Sequence, residues 1–409
     1  MAVDHRLFTK YNNERSMAFS APCALTGRSS PPTLCTLLVA MRTWFHRRKQ
    51  LMKKRKRFLL LIVYIGFLLV ALEGISRITL AIPWSANKLF SDDDLSWRRA
   101  WVSRQDSGSG LYYSFDRYCE TKGWATRANL RDETVFGDKT LNTNSRGLRG
   151  TREFPYQQDS DRLRVIVLGD SFTFGDEVSD DETYAHYLQQ MLPEAEVINM
   201  GVHGYGHDQM LILLREEGVR YRPDVVILGF NSFDMERNVL GFRDYAKPKF
   251  EVGEEGLQLT NSPVASPEEI LRFDWLRPRA WDIWSIIRLR VRIATGRYHA
   301  HRDRVTRMIL DEIVDTCHGA GARPLFIHLP GDDELTGLHQ ATRAESFLLD
   351  YGRSNERVTC ATARPHFLAG MDRGTVYKDE GHWCPGGHLT VAESIYQLLL
   401  AEGLVQPLP

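Results

Sequence analysis

Three short motifs contain residues that could carry chemistry. Ser171 follows a Gly-Asp pair directly after an apolar run, and a serine at such a strand-to-helix turn can expose its hydroxyl beside a helix N-terminus that favours negative charge. Gly204 lies in a glycine-rich segment, Asn199–Gly206, whose unobstructed backbone can come close to a ligand. Asp379 precedes His382 by three residues, so its carboxylate can orient the imidazole and set its tautomer and basicity. Taken singly, the first two motifs are also typical of a capping serine and a tight turn.

The elements that would position these residues alternate between strands and helices. Short apolar runs predict buried strands over 164–168, 196–199, 223–229 and 323–329. Helical spacing predicts helices over 181–192, 207–221, 301–320 and 386–402. This alternation predicts an α/β fold, a three-layer flavodoxin-like sandwich with a mainly parallel sheet. Ligands bind such sheets at the carboxyl ends of the strands, where the serine and the glycine-rich segment are expected.

Taken together and in this order, the motifs resemble the SGNH/GDSL hydrolase family, over roughly residues 161–405. The resemblance implies Ser171 as the nucleophile, His382 as the general base and Asp379 as the carboxylate that orients it. It also implies an oxyanion hole that is formed by the Ser171 N–H, the Gly204 N–H and the side-chain amide of an asparagine. A serine hydroxyl needs such a base, and a tetrahedral oxyanion needs preorganised donors. No metal cluster, phosphate-binding loop or dinucleotide motif occurs, so neither a metal nor a cofactor is expected.

The third strand end departs from the family pattern, which places Asn-Asp there. Here Asn231 is followed by a serine, whereas Asp234 is preceded by Phe233. Alignment at Gly229 makes Asn231 the third oxyanion donor and is the reading we favour. Alignment at Asp234 puts Phe233 in that place and loses the donor, and Asn231 could also be a simple helix cap.

An apolar run near the N-terminus predicts one transmembrane helix. Phe58–Leu72 contains 15 uncharged residues, about 22 Å of helix, and extension to Ile82 gives 25 residues, about 37 Å, enough to span a bilayer with some tilt. Basic residues crowd its N-terminal side, which predicts a cytoplasmic N-terminus and an extracytoplasmic body. A cleaved signal peptide is the alternative.

Charge is distributed unevenly along the chain, although its formal net charge is zero. Residues 1–57 contain 13 Lys and Arg against 2 Asp and Glu, whereas the remaining residues contain 39 against 50. An acidic body does not favour nucleic-acid binding.

The charge distribution, the apolar run and the motifs together divide the chain into four parts. We expect a basic cytoplasmic tail over 1–57, an anchor over 58–82, a loop-rich extension over 83–160 and the hydrolase domain over 161–405. Residues 1–51 could also reflect a start codon placed too early, since Met52 opens a basic run.

Two further features leave alternatives open. Cys119, Cys317, Cys360 and Cys384 follow the anchor, and a disulfide or free buried thiols would both suit an extracytoplasmic domain. Within an insertion expected over about 236–300, residues 250–259 predict a hairpin. The insertion also has Trp281, Trp284, Ile287 and Val291 at helical spacing. This stripe favours a helix that packs onto the core, with an interfacial helix on anionic lipid or a substrate lid as alternatives.

The sequence thus predicts a membrane-anchored, extracytoplasmic serine esterase that forms an acyl-serine intermediate. Its expected substrate is an ester-bearing surface glycan or lipid. An O-acyltransferase that acts on an exopolysaccharide is the alternative within enzymes, and a catalytically silent carbohydrate-binding relative is the alternative outside them.

Overall fold

The computed structural model of the chain describes residues 34–82, 93–106, 111–157, 162–254, 256–335, 341–371 and 382–407. The chain divides into two compact units, Met1–Leu72 and Glu73–Pro409. The helices are α1 (Leu34–Ala81), α2 (Asp94–Asp106), α3 (Ser171–Phe174), α4 (Tyr184–Met191), α5 (His207–Glu216), α6 (Ser232–Arg237), α7 (Pro267–Asp274), α8 (Arg279–Ala294), α9 (Arg297–Gly319), α10 (Asp332–Leu335), α11 (Arg343–Ser354), α12 (Arg364–Met371) and α13 (Pro385–Ala401). The strands are β1 (Asp116–Cys119), β2 (Gly123–Thr126), β3 (Glu133–Phe136), β4 (Lys139–Leu141), β5 (Leu163–Gly169), β6 (Ala195–Gly201), β7 (Val225–Phe230), β8 (Phe242–Arg243), β9 (Tyr245–Ala246), β10 (Lys249–Gly253), β11 (Gly256–Thr260), β12 (Arg323–His328) and β13 (Thr359–Thr362).

The N-terminal helix α1 is long and apolar enough to cross a membrane. A stretch within Met41–Ala81 reaches a mean hydropathy of 2.6. Its apolar residues from Phe58 to Leu72 are not buried against protein. The helix begins at Leu34, well before the expected start at residue 58, because the intervening residues are mostly good helix formers such as Leu, Met, Lys and Arg. Residues 1–33, the greater part of the predicted tail, lie outside the described residues.

A five-stranded parallel sheet forms the centre of the second unit. Its strand order is β13-β12-β7-β5-β6, so β5 lies between β7 and β6. The expectation of a parallel α/β sheet is therefore confirmed. The edge strand β13 was not predicted, because its sequence Thr-Cys-Ala-Thr is short, half-polar and only partly buried.

Helices cover both faces of this sheet and complete three layers. On β5, Val165 and Val167 belong to one buried cluster, whereas Ile166 and Leu168 belong to the other. Successive strand residues point to opposite faces, so both faces of β5 must be apolar. One cluster includes residues of α5, α9 and α11, and the other includes residues of α4, α12 and α13.

The extension before the sheet packs onto the sheet domain through aromatic residues. It contains α2, which the sequence analysis did not predict, and the hairpins β1–β2 and β3–β4. Trp124 is fully buried, and its Nε1 donates a hydrogen bond of 2.8 Å to the backbone oxygen of His203. The extension therefore supports the loop that follows β6. The predicted hairpin over 250–259 is present as β10–β11.

The aromatic stripe of α8 does not pack onto the core, so that preferred interpretation is wrong. Trp281, Trp284, Ile287 and Val291 are all exposed, and the buried residues of α8 are Asp282 and Ile286. Helical spacing identifies a common face but does not say what that face contacts.

Candidate active site

Ser171 occupies a sharp turn at the carboxyl end of the central strand β5. Asp170 caps the short helix α3, and its side chain accepts a hydrogen bond of 3.0 Å from the Phe172 N–H. Gly175 ends α3 with a φ of 89°, in the left-handed region that favours glycine. These local devices fix Ser171 as the first residue of α3, where it is 3% exposed.

A close approach between α3 and β6 requires glycine at position 201. A Cβ atom there would lie 2.3 Å from the Phe174 backbone nitrogen and 2.6 Å from the Thr173 carbonyl carbon. The missing side chain lets α3, which begins with Ser171, rest directly on the neighbouring strand.

His382 lies within hydrogen-bond distance of Ser171, as the resemblance implies. Its Nε2 is 3.0 Å from the Ser171 Oγ, although the two residues are 211 positions apart in the chain. Asp379, the predicted orienting carboxylate, lies outside the described residues, so its role stays a prediction.

Glu177 is the carboxylate that contacts the imidazole within the described residues. Its Oε1 lies 3.2 Å from His382 Nδ1, and its Oε2 accepts a hydrogen bond of 2.9 Å from the His382 N–H. Glu177 has a φ of 68°, an uncommon conformation for a residue with a side chain. Sequence reasoning missed Glu177, because an acidic residue six positions after a serine does not reveal a contact with a histidine 205 residues further on.

The two other predicted oxyanion donors follow strands that flank β5. Gly169 at the end of β5 is level with Gly201, and Leu168 is level with Leu228, so the three strands end at the same edge of the sheet. Gly204 follows β6 with a φ of 73°, and Asn231 follows β7 directly.

The loop that carries Gly204 has no room for a side chain. A Cβ atom at this position would lie 2.7 Å from Asp244 Oδ2 and 3.4 Å from the Trp124 ring. In the described part of the chain, neither the Gly204 N–H nor the Ser171 N–H donates a hydrogen bond to a protein acceptor. Both donors are therefore available to a ligand.

Asn231 is completely buried and uses only one side of its amide. Its Oδ1 accepts a hydrogen bond of 3.0 Å from the Phe233 N–H and thereby caps α6. Its Nδ2 has no hydrogen-bond partner among the described residues. Phe233, the alternative position for the donor, is 47% exposed. Asn231 thus combines a capping oxygen with an available buried donor, two roles that the sequence analysis treated as alternatives.

An ion pair between the buried Asp176 and the partly exposed His203 adjoins the His382 imidazole. Asp176 binds His203 Nδ1, and its Oδ2 lies 4.0 Å from His382 Nε2. Burial alone would lower the pKa of His203, but the Asp176 carboxylate raises it to about 9. Burial would likewise raise the pKa of Asp176, and the His203 charge instead lowers it. The sequence analysis did not identify this pair.

Arg237 joins the turn that carries Ser171 to α6. Its Nη1 donates hydrogen bonds of 2.7 Å both to Asp170 Oδ2 and to Asp234 Oδ1, and all three side chains are buried. The two carboxylates raise the pKa of Arg237 despite its burial, so a charged guanidinium bridges them. In the described ranges, no group of three or more His, Cys, Asp or Glu side chains is arranged to hold a metal ion.

Comparison with known proteins gives matches in structure alone. No family model and no curated protein sequence matches the chain. A GDSL-like lipase from Bacteroides thetaiotaomicron VPI-5482 shares 12% identity over 58% of this chain and 88% of that chain, with a TM-score of 0.34. A lipolytic protein of the G-D-S-L family from Veillonella parvula DSM 2008 shares 12% identity over 58% and 98%, with a TM-score of 0.36. A two-domain esterase active on acetylated mannans shares 15% identity over 60% and 51%, with a TM-score of 0.35.

At such low identities and TM-scores, the activity of this chain has to be inferred from its own residues.

Proposed function

We propose that the chain is a serine esterase with Ser171 as its nucleophile. The observation that carries this proposal is the 3.0 Å distance between Ser171 Oγ and His382 Nε2, at the strand edge where Gly204 and Asn231 also lie. A serine is a strong nucleophile only beside a base that takes its proton.

The reaction follows from these positions. As Ser171 Oγ attacks the ester carbonyl carbon, His382 Nε2 takes the hydroxyl proton. The resulting oxyanion accepts hydrogen bonds from the Ser171 N–H, the Gly204 N–H and Asn231 Nδ2. Collapse of the intermediate breaks the ester C–O bond, and the departing alcohol takes the proton from His382. A water molecule then attacks the acyl-serine with His382 again as base, which releases the acid and restores Ser171.

We further propose that Glu177 holds the His382 imidazole in its working orientation. A carboxylate on Nδ1 fixes the tautomer that leaves Nε2 free to accept a proton, and it stabilises the imidazolium that forms. Asp379 remains the predicted residue for the orienting role, and variants at both positions separate the two.

The anchor and the charge distribution support a location outside the cytoplasm. The helix α1 has the length and hydropathy of a span, and the basic residues that precede its apolar run favour a cytoplasmic N-terminus. The substrate we propose is an ester on a glycan or lipid of the cell surface. A phosphatase reporter that is active only outside should be active when fused after residue 100 and silent when fused before residue 45. The reverse pattern would overturn this location.

Labelling with a fluorophosphonate tests the proposed nucleophile. The full chain should be labelled at Ser171, and Ser171→Ala should abolish labelling. Ser145→Ala, which changes an exposed serine outside the site, should be labelled like the wild type. Equal labelling of the wild type and Ser171→Ala would refute the assignment. Release of acetate from acetylated glycans, measured with and without an acceptor sugar, then distinguishes hydrolysis from acyl transfer.

A further inference from the structure

Helix α8 and the segment before it expose an unusual amount of apolar surface. Seven large apolar side chains between positions 273 and 291 are each 46–69% exposed: Phe273, Trp275, Leu276, Trp281, Trp284, Ile287 and Val291. A single exposed apolar residue needs no explanation, but a contiguous patch of this kind marks a binding surface. Three of the seven are tryptophans, which favour the boundary between water and lipid.

Polar residues next to the apolar run of α1 hold both ends of the segment that leads into α8. Glu73 directly follows that run, and its carboxylate accepts hydrogen bonds of 3.0 Å from the Arg279 and Ala280 N–H groups, at the first turn of α8. Arg77 donates a hydrogen bond of 3.2 Å to the Trp275 backbone oxygen. Glu73 and Arg77 are the first charged residues after the apolar run, and long charged side chains near the end of a span reach the bilayer interface. The contacts therefore fix the start of α8 at that depth.

The C-terminal half of α8 adds positive charge to the apolar face. Residues 287–294 contain three arginines and no acidic residue: Arg288, Arg290 and Arg292. The Arg288 guanidinium lies 5.4 Å from the Trp284 ring centroid. Near the start of α8, a cavity of about 380 Å³ is lined by two acidic residues, Asp274 and Asp282, and by four basic ones: Arg77, Arg98, Arg99 and Arg279. Basic side chains beside exposed tryptophan and isoleucine are typical of helices that lie on anionic lipid.

We propose that α8, with Trp275 and Leu276, lies in the headgroup region of the bilayer that α1 spans and binds its anionic phospholipids. This inference rests on the proposed anchoring, not on the proposed esterase activity. The catalytic domain then contacts the membrane surface through α8 in addition to the span itself. Two alternatives do not involve lipid: the exposed face of α8 would pack against a second copy of the chain, or α8 would act as a mobile lid over the substrate.

Depth measurements on the full chain in lipid nanodiscs test the proposal. A nitroxide at Ile287→Cys reports on the exposed face of α8. Leu389→Cys is a matched control, since Leu389 is 39% exposed on α13, at the opposite face of the sheet. Ile65→Cys, in the middle of the uncharged run, is the reference for a residue inside the bilayer. The wild-type chain, labelled in the same way, gives the background from its own cysteines.

In discs of phosphatidylcholine and phosphatidylglycerol, Ile287 should collide severalfold less often with a water-soluble nickel chelate than Leu389 does, and more often with oxygen. This protection should fall in discs of phosphatidylcholine alone and in the Arg288→Gln/Arg290→Gln background. Chelate access at Ile287 equal to that at Leu389 would overturn the proposal. Protection from chelate with dipolar broadening between labels would indicate a second copy and would also overturn it. If Ile65 is itself open to the chelate, the anchoring fails, whereas fluorophosphonate labelling of Ser171 still tests the esterase separately.

Discussion

Replacement of Asn231 by aspartate separates the two roles that the structure gives this side chain. The aspartate keeps an oxygen that can accept the Phe233 N–H and cap α6, but it removes the Nδ2 donor. Loss of one oxyanion donor costs about 3–4 kcal/mol of transition-state stabilisation, so kcat should fall about 100- to 1000-fold or more, with little change in KM. The added negative charge acts in the same direction, because it opposes the developing oxyanion.

The stability of the Asn231 variants provides an independent measure of the cap. Asn231→Ala should lose about 1 kcal/mol with the cap. It also removes a buried donor without a protein partner, whose desolvation costs about 1–3 kcal/mol in the folded state. The two effects have opposite signs, so the free energy of unfolding should be unchanged or slightly higher. Asn231→Ser keeps a capping oxygen and should be at least as stable.

Initial rates on an activated acetyl ester, together with denaturant unfolding of each variant, decide between the roles. If Asn231 were a cap alone, the aspartate, serine and alanine variants would all retain the kcat of the wild type in their folded fraction. A kinetically silent Asn231→Asp would therefore refute the assignment of Nδ2 to the oxyanion hole. A higher kcat in Phe233→Asn, combined with that result, would show that the donor position is 233.

Three further predictions concern the surroundings of the nucleophile. Glu177→Gln should keep the contact with His382 Nδ1 but lower kcat, because a neutral amide neither fixes the tautomer nor stabilises the imidazolium. If kcat is unchanged in Glu177→Gln but falls in Asp379→Asn, Asp379 is the residue that orients His382. The pKa of His203 is raised to about 9 in the folded chain, so its ion pair stabilises the fold fully below the unfolded value of about 6.5 and loses that contribution, about 3 kcal/mol, as pH rises through 9. The stability deficit of His203→Gln should therefore shrink from pH 6.5 towards pH 9.5 in denaturant unfolding, and a constant deficit would contradict the ion pair. Gly201→Ala should lower the free energy of unfolding by about 1–3 kcal/mol and impair activity, whereas Gly319→Ala, whose Cβ would meet no atom within 4 Å, should do neither.

Local sequence patterns were sufficient to predict the central strands and the position of Ser171 at a strand end. The strands β5, β6, β7 and β12 are short apolar runs, three of which end in glycine or a polar residue, and parallel strands of this kind are buried on both faces. Because their carboxyl ends meet at one edge of the sheet, the placement of Ser171, Gly204 and Asn231 at that edge followed from topology alone.

Local sequence patterns could not predict contacts between residues that are distant in the chain. Glu177 reaches His382 across 205 residues, and Trp124 supports the loop of Gly204 from an extension with no clear period. The exposure of the α8 stripe was also misjudged, since amphipathic spacing is the same whether the apolar face meets protein or lipid.

The guanidinium of Arg237 connects the two helices whose first turns form the candidate site. It donates hydrogen bonds to Asp170, which caps α3, and to Asp234, which lies in α6. Ser171 begins α3, and Asn231 caps α6. The hydroxyl proposed to attack the substrate and the amide proposed to bind the oxyanion are thus both positioned through Arg237. We therefore expect the separation between the Ser171 hydroxyl and the Asn231 amide to depend on this one buried side chain.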